Sequence, residues 1–241
     1  MDELEKDIKA GLGKAALDLL DRAYTYAVSK AGVYRDVAKL TFINGFVEYI
    51  SQSEARFKKV KTIISRSAPV DLRRAYVPMR FECGRRSVEE IELRALLYDG
   101  GQIVINGRAG SGKSMTMRSI FLDLLAEEKC IPVLIELREV DISAGSGLAS
   151  HICSQIAVFT GGFSEEGLIY GVKNGHIALL LDGFDEVDPK SRGEMEAQIL
   201  ELVARCPRGG VVVSGRPDER YNVWPTFNVF TVAGLGKDQA I

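Results

Sequence analysis

Residues 102–114, Gln102-Ile103-Val104-Ile105-Asn106-Gly107-Arg108-Ala109-Gly110-Ser111-Gly112-Lys113-Ser114, decide how this chain folds. The β-branched run 103–105 predicts a strand over Gln102–Asn106, and the stretch from Lys113 to Glu128 predicts a helix. Between them lies an octapeptide of the form GxxxxGK[ST], in the strand, glycine loop, helix context that a phosphate-binding loop requires. Glycines at 107, 110 and 112 permit backbone angles and close approach that a Cβ would obstruct, so successive amides can converge on phosphate oxygens. The helix that follows adds the partial positive charge of its N-terminus. Lys113 supplies a mobile cation for the β- and γ-phosphates, and Ser114 a hydroxyl suited to Mg²⁺. Arg108, Ala109, Ser111 and Met115 complete the candidate binding segment. The pattern arises by accident in about one in a hundred chains of this length, and its context lowers that further.

Downstream, strands and helices alternate, which predicts an α/β fold with a parallel sheet covered on both faces. The expected strands are Pro132–Leu137, Ile177–Leu181, Gly210–Ser214 and Phe227–Val232; the expected helices include Leu148–Phe159, Glu165–Lys173 and Arg192–Arg205. The run Ile177-Ala178-Leu179-Leu180-Leu181-Asp182-Gly183-Phe184-Asp185-Glu186 is an apolar strand ending in acids. Ligands of a parallel sheet sit at its carboxyl edge, so Asp182 is expected beside the glycine loop, holding Mg²⁺.

Many P-loop ATPases place a glutamate directly after this aspartate to orient the attacking water, but here the position is Gly183. The role passes to Asp185 or Glu186, with Glu186 preferred and the other carboxylate free to fix an arginine. Val211-Val212-Val213-Ser214-Gly215-Arg216-Pro217 delivers a second polar cluster to the same edge. Arg216 is a candidate to contact the γ-phosphate, or else to pair with one of the three acids. Arg138, after the second strand of the alternating region, is expected in a structural salt bridge.

Residues 1–68 lack strand-like alternation and read as a small helical domain. One apolar stripe runs Leu4, Ile8, Leu12, Ala16, Leu19, Leu20, Ala23; a second set is Phe42, Phe46, Val47 and Ile50, ahead of Ser51-Gln52-Ser53. A third helix is expected over Glu54–Ser65, its Arg56, Lys58, Lys59 and Lys61 forming a solvated basic face. Ser67-Ala68-Pro69 breaks the pattern and marks a boundary, with the nucleotide-binding domain over 75–241. Tyr76–Phe81 reads as extended and Ser87–Tyr98 as an amphipathic helix.

Composition narrows the classes. With 241 residues, 46% hydrophobic and 27% charged, the chain can bury a full core and is neither disordered nor collagen-like. Thirty-one basic against 33 acidic residues leave a formal charge of −2, so no whole-molecule field draws it to nucleic acid or membrane. No apolar run approaches ~18 residues and the acidic start lacks a signal-peptide pattern, so a cytoplasmic location is expected. Cys83, Cys130, Cys153 and Cys206 form no CxxC pair, and with His151 and His176 as sole company they are expected as reduced, buried thiols.

Taken together, GRAGSGKS, ALLLDGFDEV and VVVSGRPDE resemble the NACHT family of STAND-type P-loop NTPases, most specifically in the small residue after the magnesium aspartate and the DE pair. The likeness covers residues 75–236, with AYVPMRF similar to the segment preceding the nucleotide fold and FTVAGLGKDQAI to the exit from it. It implies sheet order 5-1-4-3-2, ATP or dATP as ligand with ADP as the resting form, self-oligomerisation on activation, and a signalling role such as antiviral defence. By the same resemblance Val77 and Pro78 touch the adenine. Family members continue into helical, winged-helix and sensor regions that bind the trigger, so the resemblance implies a piece of a longer protein. Two other classes stand beside the ATPase switch: a non-hydrolysing nucleotide-binding assembly module, and a small-molecule kinase, for which no basic lid is apparent.

Overall fold

The computed structural model describes residues 35–60, 69–142, 147–160 and 162–233, the side chains of 35–45 and 160 excepted. Helix α1 (Arg35–Phe57) comes first, followed by a two-residue antiparallel pairing of β1 (Lys59–Val60) with β2 (Val70–Asp71). Next come a short helix α2 (Leu72–Ala75), strands β3 (Arg80–Cys83) and β4 (Arg86–Glu89), and helix α3 (Glu90–Tyr98). The alternating region is β5 (Gln102–Asn106), α4 (Lys113–Ala126), β6 (Ile131–Glu136), α5 (Leu148–Thr160), α6 (Glu165–Lys173), β7 (Ile177–Asp182), α7 (Arg192–Arg205), β8 (Val211–Gly215) and β9 (Phe227–Val232).

Seven strands form one sheet in the order β4-β3-β9-β5-β8-β7-β6. The five from β9 to β6 are parallel and reproduce the expected 5-1-4-3-2 arrangement, while the antiparallel β3–β4 hairpin extends the β9 edge. Two apolar layers sandwich the sheet. Ile103, Ile105, Leu180 and Val212 pack against α3 and α4, and Val104, Val133, Leu179 and Val213 against α5, α6 and α7. The registers Asn106↔Gly215 and Glu136↔Asp182 align the carboxyl ends of these strands, so every loop singled out for chemistry leaves from one edge.

Three expectations are corrected. The helix expected over Ser87–Tyr98 begins at Glu90, because 86–89 pair with 80–83 across the Gly84-Arg85 turn and a Glu89/Glu92 capping box opens the helix there. No break occurs at Ser51-Gln52-Ser53: α1 runs through it, with Ser51 exposed, Gln52 donating to Glu48 at 2.6 Å and Ser53 bonded to buried Tyr49. The third helix expected over Glu54–Ser65 ends as part of α1 at Phe57, and its remainder beyond Val60 lies outside the described residues. The first apolar stripe, Leu4 to Ala23, and the exit segment 234–241 also fall outside them.

Helix α1 packs chiefly against α5 and reaches the β6 edge through Tyr49 and Arg56. Phe46 stacks edge-on against Phe163 and Tyr49 against Phe159, while Phe57 meets Phe121 on the opposite layer. The Tyr49 hydroxyl meets the Leu134 backbone at that edge, and burial pushes its pKa up to about 12. Cys130, Cys153 and Cys206 are buried free thiols; desolvation raises Cys130 and Cys153 to about 12, far from reactive. No helix among the described residues is long and apolar enough to cross a membrane.

Because Phe46 is 1% exposed in the shared core, Phe46→Ala should cost about 3–5 kcal/mol. Denaturant unfolding followed by two probes should lose that stability in one transition; an unchanged midpoint would show α1 to be a detached appendage. A second test concerns Glu90, 4% exposed and bonded to Tyr76, whose carboxyl is raised chiefly by burial and then by Asp123, against the lowering effect of Tyr76, Ser119 and Arg94. A raised folded-state pKa contributes stability at low pH that is lost as pH rises through it. Glu90→Gln should therefore melt higher than wild type at neutral pH, the gap closing as pH falls toward about 4.5.

Candidate phosphate-binding site

Strand β5 is buried along its whole length and leads into Gly107, whose N–H donates to the Gly215 carbonyl at 3.1 Å, tying the glycine loop to the end of β8. Within the loop, Ser111 N–H donates to Arg108 O at 3.1 Å, and the Thr116 amide closes the first helical turn on Gly112 O at 2.9 Å. Gly112 caps α4 at φ +91°, and a Cβ there would lie 2.6 Å from the Met79 methyl. The positive φ is what calls for glycine, since the Met79 methyl is the tip of a flexible side chain and can move aside. Arg108, Ala109, Gly110 and Ser114 are exposed, whereas Met115 is partly buried against the apolar layer beneath α4. Two buried polar atoms here, Asn106 Oδ1 and Ser111 Oγ, have no partner among the described residues.

Lys113 folds its ammonium back over the loop, donating to Gly107 O at 2.8 Å and Arg108 O at 3.2 Å. Desolvation lowers its pKa, and the fields of Asp185 and Asp182 raise it against that trend. Arg216 and Glu186 also act on it, so the structure brings the loop lysine and all four candidate charges of the two other motifs into one electrostatic neighbourhood.

The acidic turn is held by a different set of contacts. The Ser214 hydroxyl donates to Asp182 Oδ1 and accepts the Gly183 N–H at 3.0 Å, joining β8 to β7 at the edge. Gly183 sits at φ +83°, so a glutamate directly after Asp182 would be forced into left-handed backbone. Phe184 turns inward against Tyr221 and Trp224, with ring centroids 5.9 and 5.3 Å away. Arg192 donates to the Asp185 and Val187 carbonyls at 2.9 and 3.1 Å and clamps the turn.

Asp185 and Glu186 face different cations. Asp185 accepts from the Arg216 side chain at 2.8 Å and from the Arg216 backbone N–H at 3.1 Å, and is 19% exposed. Glu186 is 47% exposed and accepts from Arg138 at 2.9 Å, so the salt bridge expected of Arg138 includes one of the candidate acids. Ser214 and Arg192 were not singled out from the sequence. A polar residue closing the apolar run 211–213 was the available signal for Ser214; Arg192 gave none.

Upstream, residues 76–79 cross the start of α4. Tyr76 anchors them, its hydroxyl donating to Glu90 and lying 3.0 Å from Thr116 Oγ1. Val77 is 43% exposed, and Pro78 lines a cavity of about 550 Å³ with Met79, Glu90, Arg94 and Ser119. Among the described residues no group of three or more His, Cys, Asp or Glu could hold a metal. The donors present, the Ser114 hydroxyl and the Asp182 carboxylate, suit Mg²⁺, which takes one or two protein ligands and completes its shell with phosphate and water.

The sequence profile of the NACHT domain matches residues 101–240. No curated protein matches the chain. Among solved structures it is similar to Cdc6p from Pyrobaculum aerophilum, with 18% identity, TM-score 0.39, and coverage of 62% of this chain and 44% of that one. It is similar to a STAND signal-transduction ATPase with a tetratricopeptide repeat sensor from Pyrococcus horikoshii, with 16% identity, TM-score 0.40, and coverage of 66% and 24%. A third is a Drosophila ORC bound to GC-rich DNA and Cdc6, with 10% identity, TM-score 0.43, and coverage of 85% and 34%. The chain spans less than half the length of each. The family match takes in the glycine loop, the acidic strand and the arginine turn together, and the chain belongs to the NACHT domain family.

Proposed function

We propose that this chain is the nucleotide-binding part of a slow, Mg²⁺-dependent ATPase that acts as a signalling switch. The observation that carries the reading is the convergence of Lys113 with Asp182, Asp185, Glu186 and Arg216 at one edge of the sheet. ATP or dATP binds with its phosphates in the amide cradle of residues 107–112, and Lys113 exchanges the Gly107 and Arg108 carbonyls for phosphate oxygens. Val77 and Pro78 face the base. Ser114 and Asp182 would hold Mg²⁺, which would supply charge neutralisation at the phosphates.

The two carboxylates of the DE pair divide the work. Asp185 is bonded twice to Arg216 and fixes that guanidinium toward the γ-phosphate. Glu186, more exposed and held by a single arginine, is the acid free to swing toward a water. It orients the water and accepts its proton as the new O–Pγ bond forms; the bond from Pγ to the bridging oxygen breaks, leaving ADP and inorganic phosphate. Arg216 loses its phosphate contact at that point, so the ATP and ADP states differ in how the 211–217 turn is held. The switch reading follows: ADP favours a closed monomer, and ATP with a trigger bound elsewhere in the protein favours self-assembly in the cytoplasm, in the service of defence signalling.

Glu186→Gln should lower phosphate release by about 10²-fold or more while leaving ATP affinity within a factor of about two. Retained turnover would move the water-orienting role to another residue. No phosphate release from the wild-type protein, even when assembled, would favour a module that binds nucleotide and never hydrolyses it.

A further inference from the structure

Arg138 has two arms and divides them. Nη1 donates to Glu186 at 2.9 Å, and Nη2 donates to Glu136 at the end of β6. Glu136 is only 11% exposed and is shared: its other oxygen accepts from Arg56 of α1 at 3.0 Å, with Arg118 of α4 at 3.8 Å. Arg56 also lies 3.7 Å from Glu139. These contacts form a continuous chain of charge from Glu186 through Arg138 and Glu136 to helix α1. Glu136 stands in register with Asp182, so the chain runs one strand away from the phosphate site.

The sharing has a direction. A carboxylate satisfied by one cation attracts a second less strongly, so Arg56 and Arg138 compete for Glu136. While α1 is docked, Arg56 holds one oxygen of Glu136 and Arg138 the other, with the second arm of Arg138 on Glu186. If Arg56 departs, Glu136 draws Arg138 toward itself and Glu186 is released. Arg56 is fixed to the rest of α1, whose Phe46, Tyr49 and Ile50 are buried against the sheet layer, so its position reports whether α1 is docked.

We propose that Arg138 is a positioning residue that holds Glu186 away from the attacking water in the resting protein, and that α1 sets the strength of that hold through Arg56 and Glu136. The inference rests on Glu186 being the water-orienting acid. It makes hydrolysis sensitive to the docking of a helix that never touches nucleotide.

Steady-state phosphate release by the intact protein with MgATP tests it, with melting curves to verify folding. Arg138→Gln and Arg56→Ala should each raise kcat about two- to five-fold, the size of a partly exposed ion pair, without changing KM for ATP. The double variant should be no faster than Arg138→Gln alone. Glu136→Gln frees Arg138 to grip Glu186 and should lower kcat, an opposite sign that general loosening of the fold would not produce. Unchanged or reduced kcat in Arg138→Gln, with Glu186→Gln inactive, overturns the positioning role alone. A faster Arg138→Gln beside an unaltered Arg56→Ala overturns the coupling to α1. Full turnover in Glu186→Gln overturns this inference together with the water-orienting role it rests on, and no turnover in either wild type or Arg138→Gln overturns the hydrolytic reading as well.

Discussion

Charge compensation at the carboxyl edge of the sheet governs the arrangement of everything near it. Asp182, Asp185 and Glu186 leave one short turn, and three carboxylates this close require donors on all sides. Ser214 serves Asp182, Arg216 serves Asp185, and Arg138 serves Glu186. Each donor comes from a neighbouring strand end, so the acids can be held only if β6, β7 and β8 are parallel and in register. Lys113 is the counterpart on the loop side, its ammonium parked on two carbonyls of its own loop. On the proposed function, a triphosphate at this edge takes the place of the two loop carbonyls on Lys113.

Much of this was legible in the sequence. The parallel core was written in short apolar runs such as Ile103–Ile105 and Val211–Val213, too brief for helices and ended by glycine or polar residues. The loop was legible because its chemistry needs particular residue types at fixed spacing. What escaped depends on partners distant in sequence. Ser87–Glu89 has amphipathic spacing that serves a helix, yet pairing with Arg80–Cys83 claims it for a strand. Ser51-Gln52-Ser53 reads as a helix end because three polar residues in a row interrupt the apolar stripe; in three dimensions the helix continues, with Ser51 and Gln52 in solvent and Ser53 bonded to buried Tyr49. Arg138 was read as paired, but which acid it holds is set by the alignment of β6 with β7.

Gly183 illustrates how a local constraint relocates chemistry. A chain that turns through φ +83° after the strand aspartate cannot easily carry a glutamate there. The turn instead buries Phe184 against Tyr221 and Trp224 and presents two acids one step later, each against a different arginine. On the proposed function, this division separates the sensing of phosphate from the handling of water. It also exposes Glu186 to influence from β6 and α1, which a glutamate directly after Asp182 would escape.

Calorimetric titration of MgATP into wild-type protein and into Lys113→Ala measures the phosphate cradle most directly. The account predicts saturable binding to wild type and an affinity loss of about tenfold or more in the variant, the scale of one charge-assisted contact to phosphate. Equal affinities would mean that the glycine loop does not grip the triphosphate, contradicting the site on which the rest is built.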